Sequence, residues 1–410
     1  MSNKVTFAHL ADLHLGAWRE KKLTDLNFKT FKIAIDRVIE SKVDFCLFAG
    51  DIFNNAMPPI DLVTKVVEEL NRLKENNIPL YVIGGSHDYS NSGKSFISLL
   101  DKSGVFKDVC KFEYVDEGKV NLIFTKDNKH KVNLAGILGR KKGLDKNYYA
   151  NLNSSNLPED HLNIFMFHCT LNDYKPDFMR AVRTEINSSF LPKGFDYYAG
   201  GHVHTYIEGN YDKGLLTYPG PLFPNNFSEL KREKPSFLFC DYDYDSKKIG
   251  LKREFIETYE KEYLEIEIDN LNPIDARSFI EDKVLEKDIK DKILLIEIKG
   301  IVEGKISDIN INRIISKCYE NEAFYVLKNT YKLTSSEIKN VDVSEIEDIS
   351  NIENKVIEDY ISESQNKYDE MKLIKSLMSL DLEKREDEKV SQYESRVIDA
   401  LNKSLNMTND

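Results

Sequence analysis

Val5-Thr6-Phe7-Ala8-His9-Leu10-Ala11-Asp12-Leu13-His14 runs from an apolar, strand-like segment straight into an acid and an imidazole two residues apart. In an extended chain, residues i and i+2 point to the same side, so Asp12 and His14 face one place. The same event recurs down the chain. Gly50-Asp51 follows the apolar run 45–49, and Gly85-Ser86-His87-Asp88 follows 80–84. His168 follows 164–167, and Gly201-His202-Val203-His204 follows 197–199. Each residue alone has an ordinary explanation, an Asp as a helix or turn cap and a Gly as a turn residue. Taken together, five strand ends each supply a carboxylate or an imidazole, and in open α/β sheets sites form beyond the carboxyl ends of the strands.

The apolar runs 5–11, 45–49, 80–84, 132–137, 164–167, 197–199 and 237–241 predict strands. Between the first three lie helical spacings at 27–41 and 59–76, the second with Ile60, Val63, Val66, Val67 and Leu70 on one face. This alternation predicts an α/β layered domain over residues 1–255. Residues 256–345 change character: strands at 263–268, 293–298 and 324–327 and helices at 273–285 and 309–319 predict a small α+β domain of βαββαβ type. Residues 346–410 are acidic and proline-free. Apolar stripes at Val356, Ile357, Tyr360 and Ile361, at Leu373, Ile374, Leu377 and Met378, and at Val390, Tyr393, Val397, Leu401 and Leu405 predict amphipathic helices. Such helices pack either on the preceding domains or on a partner.

Composition narrows the function class. At 410 residues, with 41% hydrophobic and 31% charged residues, the chain reads as a multidomain globular protein. No stretch approaches the apolar length of a membrane helix, and no secretory signal precedes Val5, so a cytoplasmic location is expected. The five cysteines are scattered without a C-x-x-C pair, which argues against a zinc-thiolate site. Residues 341–410 carry 18 acidic and nine basic side chains, leaving the first 340 with a net charge of only −3 out of −12. Charge therefore neither supports nor excludes a nucleic-acid partner.

Imidazole with carboxylate and no thiolate suits Mn, Fe or Zn. Asp12, His14, Asp51, His87, His168, His202 and His204 are more ligands than one ion needs, and two ions roughly 4 Å apart use them economically. Such a pair polarises a water and neutralises charge on a phosphoryl group, so the expected chemistry is phosphoester hydrolysis.

These clusters, in this order, resemble the calcineurin-like metallophosphoesterase signature D-x-H, G-D, G-N-H-[DE], H, G-H-x-H over residues 5–205. Phe7 to Gly16 is closer still to one branch, the nuclease subunits of the double-strand-break repair complex of SbcD and Mre-eleven type. The resemblance implies a four-layer α/β/β/α sandwich, then a capping domain and helices that bind a coiled-coil ABC-type ATPase. It implies a homodimer and a Mn-dependent DNA exonuclease and endonuclease with two Mn ions, for which Mg, Fe or Zn can substitute. By motif, Asp12, His14 and His204 hold one ion, Asp51 bridges, and His168 and His202 hold the second. His87 assists the transition state, and Asp88 orients it. Two departures stand out. Ser86 replaces the Asn whose amide ligates the second ion, implying a weaker second site, and Asn54 stands where many members have a His near the phosphate. Expected DNA contacts are Arg19, Lys22, Asn54, Lys94 and Arg140, the last within the basic run Arg140, Lys141 and Lys142. The competing readings are a phosphoesterase acting on a small diester, nucleotide or phosphoprotein, and a scaffold weakened at Ser86 and Asn54.

Overall fold

The computed structural model describes residues 3–90, 93, 95–115, 119–139, 149, 151–153, 157–180, 186–336 and 390–404. Two six-stranded sheets dominate. The first is ordered β15-β14-β1-β2-β3-β4, with β1 (Lys4–Leu10), β2 (Phe45–Ala49), β3 (Leu80–Ile83) and β4 (Lys107–Asp108) parallel. β14 (Ser236–Asp243) and β15 (Lys248–Phe255) complete it antiparallel. The second is ordered β12-β13-β11-β10-β8-β7. Its parallel centre is β8 (Val132–Ile137), β10 (Leu162–His168), β11 (Tyr197–Gly201) and β13 (Gly214–Pro219). β7 (Thr125–Asp127) and β12 (Tyr206–Tyr211) are its antiparallel edges.

Alternation within β1 explains the layering. Val5 and Phe7 face inward, where they meet Phe45, Tyr81, Leu134, Ile164 and Tyr197 from both sheets. Phe7 and Phe45 stack at 5.0 Å, and each fully buried Phe contributes roughly 1.5–3 kcal/mol. Ala8 and Leu10 face the other way, onto α1 (Lys21–Glu40) and α2 (Ile60–Glu75). A short α3 (Phe96–Lys102) adds Ile97 and Leu100 to that core. A strand buried on both faces is apolar at nearly every position, with His9 of β1 a buried exception, which is why these runs are continuous rather than alternating.

The chain is therefore α/β, and three of the four expected layers are in place. On the outer face of the second sheet, Phe165, Phe167, Tyr198 and Tyr218 are covered by Leu171, Ile186 and Leu191 from loops and 3-10 turns. A small sheet of β5 (Phe112–Tyr114), β6 (Val120–Leu122) and β9 (Leu152–Asn153) adds Phe112, Leu122 and Leu152. Among the described residues these stand where a helical layer is expected.

Residues from Lys261 onward build a third sheet from β16 (Lys261–Leu271), β17 (Ile293–Val302) and β18 (Tyr325–Ser335). One face packs on α5 (Pro273–Leu285) and α6 (Ile311–Glu320) through Leu264, Ile266, Ile296, Ile280 and Ile314. Asn272 caps α5, accepting from the N–H groups of Ile274 and Asp275 at 3.0 Å, with Pro273 in the first turn where its missing N–H is harmless. The element order is βαβαβ, with three strands among the described residues, rather than βαββαβ. The other face packs against α1 and α4 (Phe227–Arg232) through Leu23, Leu26, Leu230, Ile293 and Leu295. The chain separates into two compact units, Met1–Val302 with Ile306–Leu333, and Glu303–Lys305 with Thr334–Asp410. The second contains α7 (Val390–Ser404), which spans the last predicted stripe from Val390 to Leu401; Leu405 lies outside the described residues. The stripes beginning at Val356 and Leu373 lie outside the described residues.

Candidate metal centre

The carboxyl ends of β1, β2, β3, β10 and β11 meet where the two sheets face each other. Backbone bonds tie the first two exits together: His14 N–H donates to the Asp51 carbonyl (2.9 Å) and Leu15 N–H to the Ile52 carbonyl (2.9 Å). Asp12, His14, Asp51 and His202 all adopt left-handed backbone conformations, with φ of 51°, 42°, 51° and 88°. Non-glycine residues rarely do so, and each such residue costs of order 1 kcal/mol. Four at one place are retained only because the surroundings over-determine them. Gly50 (φ 90°) has no room for a side chain, since a Cβ there would stand 2.2 Å from His168 Nδ1.

The side chains fall into three overlapping groups, Asp12 with His14 and His204, His14 with Asp51 and His87, and Asp51 with His168 and His202. Within each group the ligand atoms lie within 4.8 Å of one another. His14 Nε2 is 3.1 Å from His204 Nε2 and 3.4 Å from an Asp51 oxygen. His168 Nε2 is 3.1 Å from the same Asp51 oxygen but lacks the alignment of a hydrogen bond.

Hydrogen-bond partners dictate the tautomers. His168 Nδ1 is 2.8 Å from the Ala49 carbonyl and His87 Nδ1 is 2.9 Å from the Asn54 carbonyl. A carbonyl only accepts, so both Nδ1 atoms carry hydrogen. His204 Nδ1 lies 2.9 Å from Glu229 Oε1, and a carboxylate likewise only accepts. The Nε2 lone pairs of His168 and His204 therefore point at other donors and acceptors inside the cluster. Lone pairs of buried imidazoles and carboxylates aimed at one another are satisfied either by extra protons or by cations, and this donor set fits divalent ions.

Electrostatics tells the same story. Burial pushes the Asp12 carboxyl up to about 6, against the pull of His204 and His168. Burial favours a neutral Asp51, but His168 and His14 outweigh it and hold the carboxyl well below its ordinary value. Burial drives His14 down to about 3. It would lower His168 and His204 too, yet Asp51 and Asp12 hold His168 up at about 10, and Asp12 and Glu229 hold His204 at about 9. Without a cation, protons do the cation's work.

Each expected residue can now be placed. Asp12, His14, Asp51, His87, His168, His202 and His204 come together. His202 is solvent-exposed, and its backbone N–H donates to both Asp12 oxygens at 2.8 and 3.0 Å. Ser86 is buried beside them in the β3 exit loop. Asp88 serves the main chain rather than His87: its carboxylate accepts from the N–H groups of Gly85 (2.9 Å), Phe53 (3.1 Å) and Ile52 (3.3 Å). His87 is oriented instead by the carbonyl of Asn54. The other histidines have structural partners. His9 is fully buried against the Tyr197 hydroxyl, His130 pairs with Asp127, and His161 pairs with Asp160.

Among the expected DNA contacts, Arg19 is exposed. Lys22 donates to the Phe324 carbonyl at 2.8 Å, with its ammonium over the rings of Tyr319 and Phe324. That gives Lys22 a role joining α1 to α6 and to the residue that leads into β18. Lys94 and Arg140 lie outside the described residues. The residue the motifs missed is Glu229, buried at the start of α4. An Asn cap followed three residues later by Glu signals a helix start, but nothing in that pattern signals a partner 25 positions upstream.

The calcineurin-like phosphoesterase profile matches residues 5–206. The DNA double-strand break repair protein Mre11 of Methanocaldococcus jannaschii is 30% identical over 270 residues, 61% of this chain and 68% of that protein. The Mre11 protein of Methanococcus maripaludis is 27% identical over 398 residues, 93% of this chain and 96% of that one. That of Sulfolobus acidocaldarius is 24% identical over 387 residues, 88% and 95% of the two chains.

Proposed function

This chain belongs to the calcineurin-like phosphoesterase family, and on that footing we propose that it is a divalent-metal-dependent DNA nuclease of double-strand-break repair. The observation that carries the reading is the convergence of seven side chains into three overlapping groups at the strand ends. We assign Asp12, His14 and His204 to one cation, His168 and His202 to a second, and Asp51 to both, with the buried Ser86 as a further ligand to the second. Ions held there would supply a polarised water and positive charge against the phosphoryl oxygens. Manganese suits the mixed imidazole and carboxylate set.

His87 is the residue assigned to the leaving oxygen. Its Nδ1 donates to the Asn54 carbonyl, so in the imidazolium form Nε2 carries the second proton and gives it to the leaving oxygen as charge develops. It is half-buried beside His14, with ring centroids 4.8 Å apart.

DNA, rather than a small diester, is favoured as substrate by similarity that runs far past residue 206, over 398 residues of the Methanococcus maripaludis protein. The chain is read as a nuclease domain (1–255), a capping domain (256–345) and a helical region (346–410) that binds a coiled-coil ABC-type ATPase. Met57, Ile60 and Leu99, exposed on or beside α2 and α3, supply an apolar face for a homodimer. No helix among the described residues is long and apolar enough to cross a membrane, and we place the protein in the cytoplasm.

The test is cleavage of single-stranded and hairpin DNA with Mn²⁺. EDTA abolishes cleavage, and His87→Ala lowers kcat by about 10²-fold or more. Cleavage that survives both changes sinks the reading, and hydrolysis of a small diester without cleavage of DNA sinks the choice of substrate.

A further inference from the structure

Glu229 lies outside every motif, yet its carboxylate sits 2.9 Å from His204 Nδ1. We propose that Glu229 is the positioning residue for His204, and that α4 carries it as a strut held at its far end by Lys261 of the three-stranded layer. This rests on the reading of His204 as a cation ligand.

The near end is built for the purpose. Glu229 is 7% exposed, and among the described residues its ion-pairing partner is His204. Its two oxygens are fixed by further donors, the Asn225 N–H at 2.8 Å on Oε2 and the Asn226 side-chain amide at 2.6 Å on Oε1. Asn226 in turn accepts the Glu229 N–H at 2.9 Å, closing a reciprocal cap. A carboxylate so held can only accept from Nδ1. The His204 Nε2 lone pair is therefore turned toward His14 Nε2, at 3.1 Å, and Asp12 Oδ1, at 3.7 Å. A carboxylate behind a ligating imidazole fixes the ring and makes the ligating nitrogen a stronger donor.

The far end explains why so short a helix can serve as a support. Six residues are too few to hold a helix on backbone bonds alone. Leu230 is fully buried in the seam with Ile293 and Leu295 of β17. Lys261, the first residue of β16, donates to three carbonyls at the end of α4, those of Leu230, Lys231 (3.2 Å) and Glu233 (3.1 Å). The Thr205 hydroxyl, next to His204, donates to Glu233 at 2.6 Å. The His204 segment is thus tied to both ends of α4, and α4 is tied to the third sheet.

A plain capping role for Glu229 would support α4 and leave cation binding untouched, so the decisive readout is Mn²⁺ affinity by calorimetry on the full chain. Thermal melting in EDTA controls for folding. Glu229→Ala weakens one Mn²⁺ binding event by about 10- to 100-fold. Glu229→Gln keeps one acceptor for His204 Nδ1 and the Asn226 cap but loses the charge and the second acceptor for the Asn225 N–H, so it folds with a lower melting temperature in EDTA and weakens Mn²⁺ by about tenfold. Lys261→Met, remote from the cluster, weakens the same event by a smaller factor. Wild-type Mn²⁺ affinity in Glu229→Gln overturns the inference, even if Glu229→Ala fails to fold. If His204→Ala also leaves Mn²⁺ binding unchanged, the assignment of the centre itself has failed, which is a separate result.

Discussion

Gly50→Ala tests whether the β2 exit is as full as its geometry requires. Gly50 has φ 90°, so any Cβ there costs roughly 1–2 kcal/mol of backbone strain. That Cβ would also stand 2.2 Å from Nδ1, 2.7 Å from Cγ and 2.9 Å from Cε1 of the His168 ring. Carbon contacts are comfortable near ~3.5–4 Å, so the ring must move by the better part of an ångström. It cannot move for free: the His168 side chain is fully buried, and Nδ1 holds the Ala49 carbonyl at 2.8 Å. Losing that buried hydrogen bond costs about 1–3 kcal/mol. The expected total is about 2–5 kcal/mol in urea unfolding. Gly104→Ala is the internal control, with φ 74° and only the Lys74 ammonium at 3.9 Å, so it carries the backbone cost of roughly 1–2 kcal/mol alone. Because His168 is displaced from Asp51, Gly50→Ala also weakens Mn²⁺ binding measured by calorimetry, and Gly104→Ala does not. Equal destabilisation of the two variants with unchanged Mn²⁺ affinity would refute the reasoning.

Three further outcomes follow from the same geometry. His168 and His204 sit at about 10 and 9, above the ordinary 6.5, so the stability they contribute without metal is complete below 6.5 and is lost as pH rises through those values. In EDTA the protein should melt higher at pH 7 than at pH 9, and His168→Gln should flatten the difference; an unchanged slope in that variant counts against the proton-for-cation account. Lys22→Met should destabilise the fold by about 1 kcal/mol and leave the salt dependence of DNA binding alone. Arg19→Ala should spare stability and reduce the salt slope by about 1, and the opposite pattern would make Lys22 the phosphate contact. Ser86→Asn restores an amide oxygen where a hydroxyl stands, and calorimetry should show the weaker of two Mn²⁺ events tightened by about tenfold, about 1.4 kcal/mol; two equal events in the wild type contradict the premise.

Most strands buried on both faces were legible, because they are apolar at nearly every position; β13 is the exception, a buried strand whose Gly214, Thr217 and Pro219 broke the apolar run. β2 and β8 match their predicted limits for that reason. β12 and β15 were not legible. They lie at sheet edges, their residues are a mix of exposed and half-buried, and runs such as Tyr206-Ile207-Glu208-Gly209-Asn210 read as loop. The seven clustered side chains could be found because their chemistry requires particular residue types at strand ends. Glu229 could not, because its partner is 25 positions away and its own neighbourhood reads as a helix cap.

Asn54 and Asp88 mark a different limit. The resemblance to the nuclease branch implies a histidine where this chain has Asn54, and so reads position 54 as a side chain. What position 54 contributes in the structure is a main-chain carbonyl, 2.9 Å from His87 Nδ1. That carbonyl is held in place by the Asn54 N–H bonded to the Leu15 carbonyl at 3.1 Å, and by the Asp88 carboxylate that gathers the neighbouring N–H groups of Ile52 and Phe53. Any residue at 54 supplies the same acceptor, so the His87 tautomer does not depend on the side chain there. It depends on Asp88, whose carboxylate shapes the loop that carries the carbonyl. A motif that names Asp88 beside His87 is therefore informative about His87, though through the main chain of the preceding strand exit rather than through contact between the two side chains.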